Sequence, residues 1–139
     1  MFPTLSINLP WETSKVLELP ARTLAYIGDS VFELGIRLKF AICRQEQRVH
    51  SHKSVIPIVC ARNQSALFDV ILKDLSEEEQ GWLKMWRNAK QPYTPRSVPR
   101  GLYAKSTAFE AWVGFLFLTG QIKRLEELFQ TANDGLHNL

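Results

Sequence analysis

The segment AFEAWVGFLFLTG, Ala108 to Gly120, restricts this chain more than any other. Read as a helix, its Phe109, Trp112, Val113, Phe115, Leu116 and Phe117 leave almost no polar face. A helix that is apolar all round belongs at the centre of a fold or in a subunit interface. Gly120 is placed to end it, since glycine reaches the left-handed backbone region without steric cost. One charged residue interrupts the segment: Glu110, in what the pattern reads as the first turn.

The remaining segments are helical in pattern. RTLAYIGDSVFELGIRLKFAI spaces Leu24, Ile27, Val31, Leu34, Leu38 and Ile42 at a period near 3.6, with Thr23 as its N-cap. RVHSHKSVIPIVCARNQSALFDVILKDL follows, with Pro57 marking a kink or a helix start. Ser76 and Glu79 have capping-box spacing ahead of EEEQGWLKMWRNAK. Pro92, Pro95, Pro99 and Gly101 make residues 91–101 the main loop, after which Ser106 or Thr107 opens the apolar helix. QIKRLEELFQTA then carries Ile122, Leu125, Leu128 and Phe129 on one face. With no repeats and no alternating strand pattern, the fold class is all-α, and 139 residues with 45% apolar content fit a single domain over 1–139. At this length roughly two-thirds of the unfolded surface can be buried.

Cys43 and Cys60 lack metal-ligand spacing and read as free thiols of a reducing compartment. MFPTLSINLP has no basic residue of the kind that opens a secretory leader, and no apolar run approaches the roughly 18 residues of a membrane span. The expectation is a cytoplasmic protein with no membrane partner. Charge is unevenly spread. From Lys84 to Lys105 there are six basic residues and no acidic one, while SEEE and KRLEELFQTANDG hold many of the carboxylates. Such a basic stretch is either a solvated loop or a surface for a polyanion.

Two acids need explaining. Thr107-x-x-Glu110 has the spacing of a capping box, a structural role that competes with a chemical one. Asp29, in LAYIGDSVFE, lies too far inside its helix to be a cap, on the face of Ala25, Glu33 and Arg37. A solvated residue beside a Glu33–Arg37 ladder is one reading, a ligand another. Gly28 beside it costs a helix about 1 kcal/mol against alanine, so something must approach that backbone closely. The three histidines, His50, His52 and His137, read as surface residues.

LAYIGDSVFE followed far downstream by STAFEAWVGFLFLTG resembles the paired signatures of the ribonuclease III catalytic domain. WRNAK and IVCARNQSALF are similar to elements of its short form, Mini-ribonuclease III, which has no appended double-stranded RNA-binding domain. The resemblance runs from Leu17 to Phe129 and implies the helical endonuclease-domain fold of that family. It implies that Asp29 and Glu110 hold Mg²⁺ at the scissile phosphate, a role that suits a hard cation keeping several waters. It also implies a homodimer, for which Phe32, Trp112 and Phe115 serve equally as interface or as core. Three places where full-length ribonuclease III carries further acids are Arg22, Ala25 and Thr107 here, which fits the short form. NAKQPYT stands where relatives resemble NAKSGT.

On this resemblance the basic loop becomes an RNA surface formed by Arg87, Asn88, Lys90, Arg96, Arg100 and Lys105. Phosphate contacts would supply most of its affinity, and A-form duplexes would be read mainly by shape. The implied function is Mg²⁺-dependent endonucleolytic cleavage of double-stranded RNA, leaving 5′-phosphate and 3′-hydroxyl ends. The implied substrate is the precursor of large-subunit ribosomal RNA. The competing readings are a non-catalytic RNA-binding module on the same fold and a helical protein–protein adaptor, which would show no salt-dependent RNA affinity.

Overall fold

A computed structural model describes residues 8–43, 59–91 and 93–137. Its helices are α1 (Thr13–Leu17), α2 (Ala21–Cys43), α3 (Ala61–Leu72), α4 (Glu77–Arg87), α5 (Arg100–Leu118) and α6 (Ile122–His137), with no strand among the described residues. The fold is all-α, as the sequence pattern requires. None of these helices is long and apolar enough to cross a membrane. Pro57, His50 and His52 lie outside the described residues, and Cys60, which is in no disulfide, lies just before α3.

The apolar segment is the axis of the molecule. From Ser106 to Leu118 every residue of α5 is buried except Glu110 and Phe117, which are half-buried. Helix α2 packs along α5 most extensively, and α3, α4, α6 and the short α1 close around it. Phe32 meets Phe109 edge to face at 5.1 Å, and Trp112 stacks on Phe115 at 5.4 Å. Phe32, Trp112 and Phe115 are therefore core of a single chain and leave no surface for a subunit contact. Gly120, at φ 72°, ends α5 in a Schellman turn: Gln121 N–H donates to the Leu116 carbonyl and Gly120 N–H to that of Phe117. The Ser76–Glu79 capping box at the start of α4 is formed as its spacing predicts.

Several local expectations are overturned. Thr23 is not an N-cap. The Pro20 carbonyl accepts from the N–H groups of both Thr23 and Leu24, so α2 begins at Ala21 and Thr23 is already inside it. Helix α5 begins at Arg100, not at Ser106 or Thr107. Pro99 precedes it with extended backbone and its carbonyl receives the Tyr103 N–H, while Gly101 is absorbed into the first turn. The periodic stripe of α2 also divides. Leu24 is buried and Ile27 and Val31 pack at the core's edge, but Leu34, Leu38 and Ile42 are more than half exposed. The buried face runs instead through Leu24, Ala25, Gly28, Phe32 and Ile36. On α6, Leu125 and Leu128 are buried but Ile122 is exposed at the helix start.

Candidate active site

The glycine in LAYIGDSVFE marks the point where the two longest helices cross. A Cβ built on Gly28 would collide with the main-chain carbonyl of Glu110 and lie 2.8 Å from the amide nitrogen of Gly114. Gly114 is its counterpart: a Cβ there would strike the carbonyl of Leu24. The atoms in the way belong to backbone, which has no rotamer to yield. Helices α2 and α5 thus touch main chain to main chain, and the residue following Gly28 is brought beside Glu110.

With α5 starting at Arg100, Glu110 is almost three turns inside it, and the capping-box reading fails. Thr107 is buried, and its Oγ1 donates to the Tyr103 carbonyl at 3.0 Å in place of capping anything. A carboxylate in the most buried helix has no structural excuse of that kind. Burial first, and the charge of Asp29 second, push the Glu110 carboxyl up to about 8, against a weak opposing hydrogen bond from Ser106. Asp29 itself is exposed at the rim, yet partial desolvation and then Glu33 raise its carboxyl above the usual range. Glu33 is tied to Arg37 at 2.8 Å, so the ladder foreseen on that face exists, but it does not extend to Asp29. Among the described residues neither Asp29 nor Glu110 has a lysine or arginine in ion-pair contact.

A buried acid whose ionisation is opposed by a neighbouring acid, with no cation paired to either, forms a site short of positive charge. Among the described residues no group of three or more His, Cys, Asp and Glu gathers as a metal cage. The donor set suits a hard divalent cation that takes one or two carboxylates and completes its shell with water and phosphate oxygens. It does not suit zinc, which would need more protein ligands.

The basic residues line three grooves. Arg87, Asn88 and Lys105 line the first, of about 480 Å³, together with Ser65 and Gly101. Arg96 and Arg100 line the second, of about 570 Å³, with Gln91 and Pro95. Lys90 lines the third, of about 710 Å³, with Pro20, Gln91 and Arg22. The first two share Ala104 and the last two share Gln91, so each groove adjoins the next. All six residues singled out from the sequence line these grooves. Lys105 is the most constrained of them, paired with Asp69 at 2.9 and 3.1 Å. Asn88 caps the end of α4 and accepts from Arg87 Nε at 3.2 Å.

A family profile for the Ribonuclease III domain matches residues 22–121, which include the whole crossing of α2 and α5. The chain belongs to the ribonuclease III family. The Mini-ribonuclease 3 of Symbiobacterium thermophilum is 40% identical over 119 residues, covering 85% of this chain and 91% of that protein. The Mini-ribonuclease 3 of a Thermoanaerobacter species is 36% identical over 117 residues, covering 84% and 82%. A crystal structure of a Fusobacterium nucleatum protein is similar with a TM-score of 0.73 at 29% identity, covering 85% of this chain and 94% of that one. By family, then, the chain is an endoribonuclease.

Three residues at or around the candidate site carry no functional signal in the sequence. Arg22 stands in the sequence only as a replacement for an acid, yet it lines the third groove. Ser106 reads in the sequence as a helix opener, although its position four residues before Glu110 puts it one turn away on the same face. Gln64, on α3, carried no signal, because only the packing of α3 on α5 brings it to Ser106.

Proposed function

We propose that the chain cleaves double-stranded RNA in a Mg²⁺-dependent reaction, with Asp29 and Glu110 as the metal ligands. The observation that carries this reading is the uncompensated pair of acids at the Gly28–Gly114 crossing. When bound, the ion would supply Lewis-acid stabilisation of phosphoryl charge and a more acidic water. The protein's own part is to hold two carboxylates in place and to seat the duplex. Arg87, Asn88, Lys90, Arg96, Arg100 and Lys105 would bind sugar–phosphate backbone, so recognition follows duplex shape more than sequence. Products would carry 5′-phosphate and 3′-hydroxyl ends.

The natural substrate in this reading is the large-subunit ribosomal RNA precursor, processed in the cytoplasm. The protein would act as a homodimer, one site for each strand. Since the aromatic residues first considered for the interface are buried in the chain's own core, the exposed outer stripe of α2, Leu34, Leu38 and Ile42, is the better candidate for that contact.

The test is cleavage of a long RNA duplex by the purified protein with Mg²⁺ or with EDTA, for wild type, Asp29→Asn and Glu110→Gln. Loss of a metal ion's contribution of several kcal/mol should slow either variant by ~10³-fold or more while the fold is retained. A folded wild type that binds duplex and precursor RNA without cutting either would leave the non-catalytic module as the better reading.

A further inference from the structure

The core between α3 and α5 contains a glutamine. Gln64 is 1% exposed, on the buried face of α3 with Leu67 and Phe68. Its Oε1 accepts from Ser106 Oγ at 2.6 Å, and its Nε2 has no hydrogen-bond partner. Burying an amide with half its hydrogen-bonding capacity unused costs stability that leucine or methionine at this position would not incur. Packing alone does not account for it.

The serine it contacts is the link to the site. Ser106 is 2% exposed, and its Oγ lies 3.4 Å from Glu110 Oε1 as well as 2.6 Å from Gln64. A hydroxyl has one hydrogen to donate. While that hydrogen is directed at Gln64 Oε1, it cannot also serve the carboxylate, and 3.4 Å is long for a hydrogen bond. Half a turn of the amide about its Cγ–Cδ bond changes the arrangement. Nε2 then faces Ser106 Oγ and gains the acceptor it lacks, and the hydroxyl hydrogen is released toward Glu110. The result is a chain of donors running Gln64 Nε2–H to Ser106 Oγ–H to the Glu110 carboxylate.

We propose that Gln64 and Ser106 are positioning residues: the buried amide orients the serine hydroxyl, and the hydroxyl holds the Glu110 carboxylate toward Asp29 for metal binding. Neither touches substrate. Partners behind a ligating carboxylate fix its orientation, and their loss commonly weakens metal affinity by about 10–100-fold. The inference rests on Glu110 being a metal ligand.

The experiment uses Gln64→Leu, Ser106→Ala and the double variant. Mn²⁺ is titrated into each protein without RNA and followed by the EPR signal of the free ion, with Glu110→Gln as reference. Cleavage is measured against Mg²⁺ concentration, and duplex affinity is measured in EDTA. Ser106→Ala should weaken Mn²⁺ binding by about 10-fold and raise the Mg²⁺ required for half-maximal cleavage to match, with duplex affinity in EDTA unchanged. Gln64→Leu should shift both in the same direction, and the double variant should be no worse than Ser106→Ala, because the amide acts through the hydroxyl. Gln64→Leu removes an unpaired buried group and should melt no lower than wild type, so its loss of metal binding would not reflect unfolding. Variants that bind Mn²⁺ like wild type overturn the proposal, and so do independent, additive losses. If Glu110→Gln binds Mn²⁺ as well as wild type, the assignment of the site itself falls, and this inference with it.

Discussion

Glu79 at the start of α4 and Glu110 in the middle of α5 are both partly withdrawn from water, and their surroundings treat them in opposite ways. Glu79 accepts from Arg124 at 2.6 and 3.1 Å, and it also closes the capping box with Ser76. Arg124 in turn lies over the Trp112 ring at 5.0 Å. The Arg124 hydrogen bonds, ahead of the cap, hold the Glu79 carboxyl below its usual range. Glu110 has Asp29 for a neighbour and a serine hydroxyl at 3.4 Å for support. One corner is built to keep its charge satisfied and hold α4 to α6. The other is left short of a cation at the place where the two main helices come closest. A fold that satisfies one glutamate so fully and leaves another wanting is retaining the second for something outside the chain.

The largest expected effect separates the two regions at the backbone. Gly28→Ala would drive a methyl group into the Glu110 carbonyl, and overpacking against immovable backbone should cost about 3 kcal/mol or more. Gly81→Ala on α4 meets nothing within 4 Å, so there the same change should stabilise by ~0.5–1 kcal/mol through helix propensity. Urea denaturation of both variants in EDTA checks the pair. A Gly28→Ala protein as stable as wild type would mean that the helices do not meet main chain to main chain, and the placement of Asp29 beside Glu110 would lose its basis.

Next in size is one chemical change with two signs. Glu79→Gln removes a charge from a paired, partly buried contact and should cost about 1–3 kcal/mol near neutral pH. Glu110→Gln removes a charge that has no cation, so in EDTA it should stabilise the protein at alkaline pH. The pH dependence follows the same division. Glu79, whose carboxyl is lowered, contributes stability above the unfolded-state carboxyl pKa that is lost as pH falls through its folded value. Glu110, raised to about 8 from 4.5, contributes stability below the unfolded value that is lost as pH rises through the folded one. Across that second window each pH unit costs at most about 1.4 kcal/mol. Denaturation midpoints from about pH 5 to about pH 9 should fall for metal-free wild type and fall less for Glu110→Gln. Added Mg²⁺ should restore wild type and leave Glu110→Gln unmoved.

This contrast was only half legible in the sequence. The Ser76–Glu79 box could be read because a cap is a local matter, decided by residues three apart. The central place of α5 was readable from an apolar pattern that allows no exposed face, and Gly28 announced a close approach without saying to what. The start of α5 was misread because Thr107 and Glu110 have cap spacing, whereas Pro99 in fact sets the boundary and the helix continues through Gly101. That error gave Glu110 a bland explanation that the structure removes. Arg124, forty-five residues from Glu79, and Gln64, forty-two from Ser106, could not be paired from sequence, since each pairing exists only after the helices pack. The outer stripe of α2 misled for a related reason: periodicity shows that a face is apolar, and leaves open what covers it.

The smallest effect concerns a third acid, one that belongs to neither region. Asp69 pairs with Lys105 on the basic surface, with both side chains at least a third exposed, and surface pairs of that kind contribute about 0–1 kcal/mol to folding. Asp69→Asn should therefore leave the urea midpoint nearly unchanged. Its consequence lies with the substrate, because it frees a cation five residues before Glu110 on α5 and removes a negative charge from the proposed phosphate path. Duplex affinity at moderate salt should rise about 2–5-fold, and the slope of log affinity against log salt should steepen by up to about one. Lys105→Ala should weaken binding and flatten that slope. If Asp69→Asn changes stability and not RNA affinity, Lys105 is a structural tether of α3 to α5, and the duplex path runs through Arg87, Arg96 and Arg100 without it.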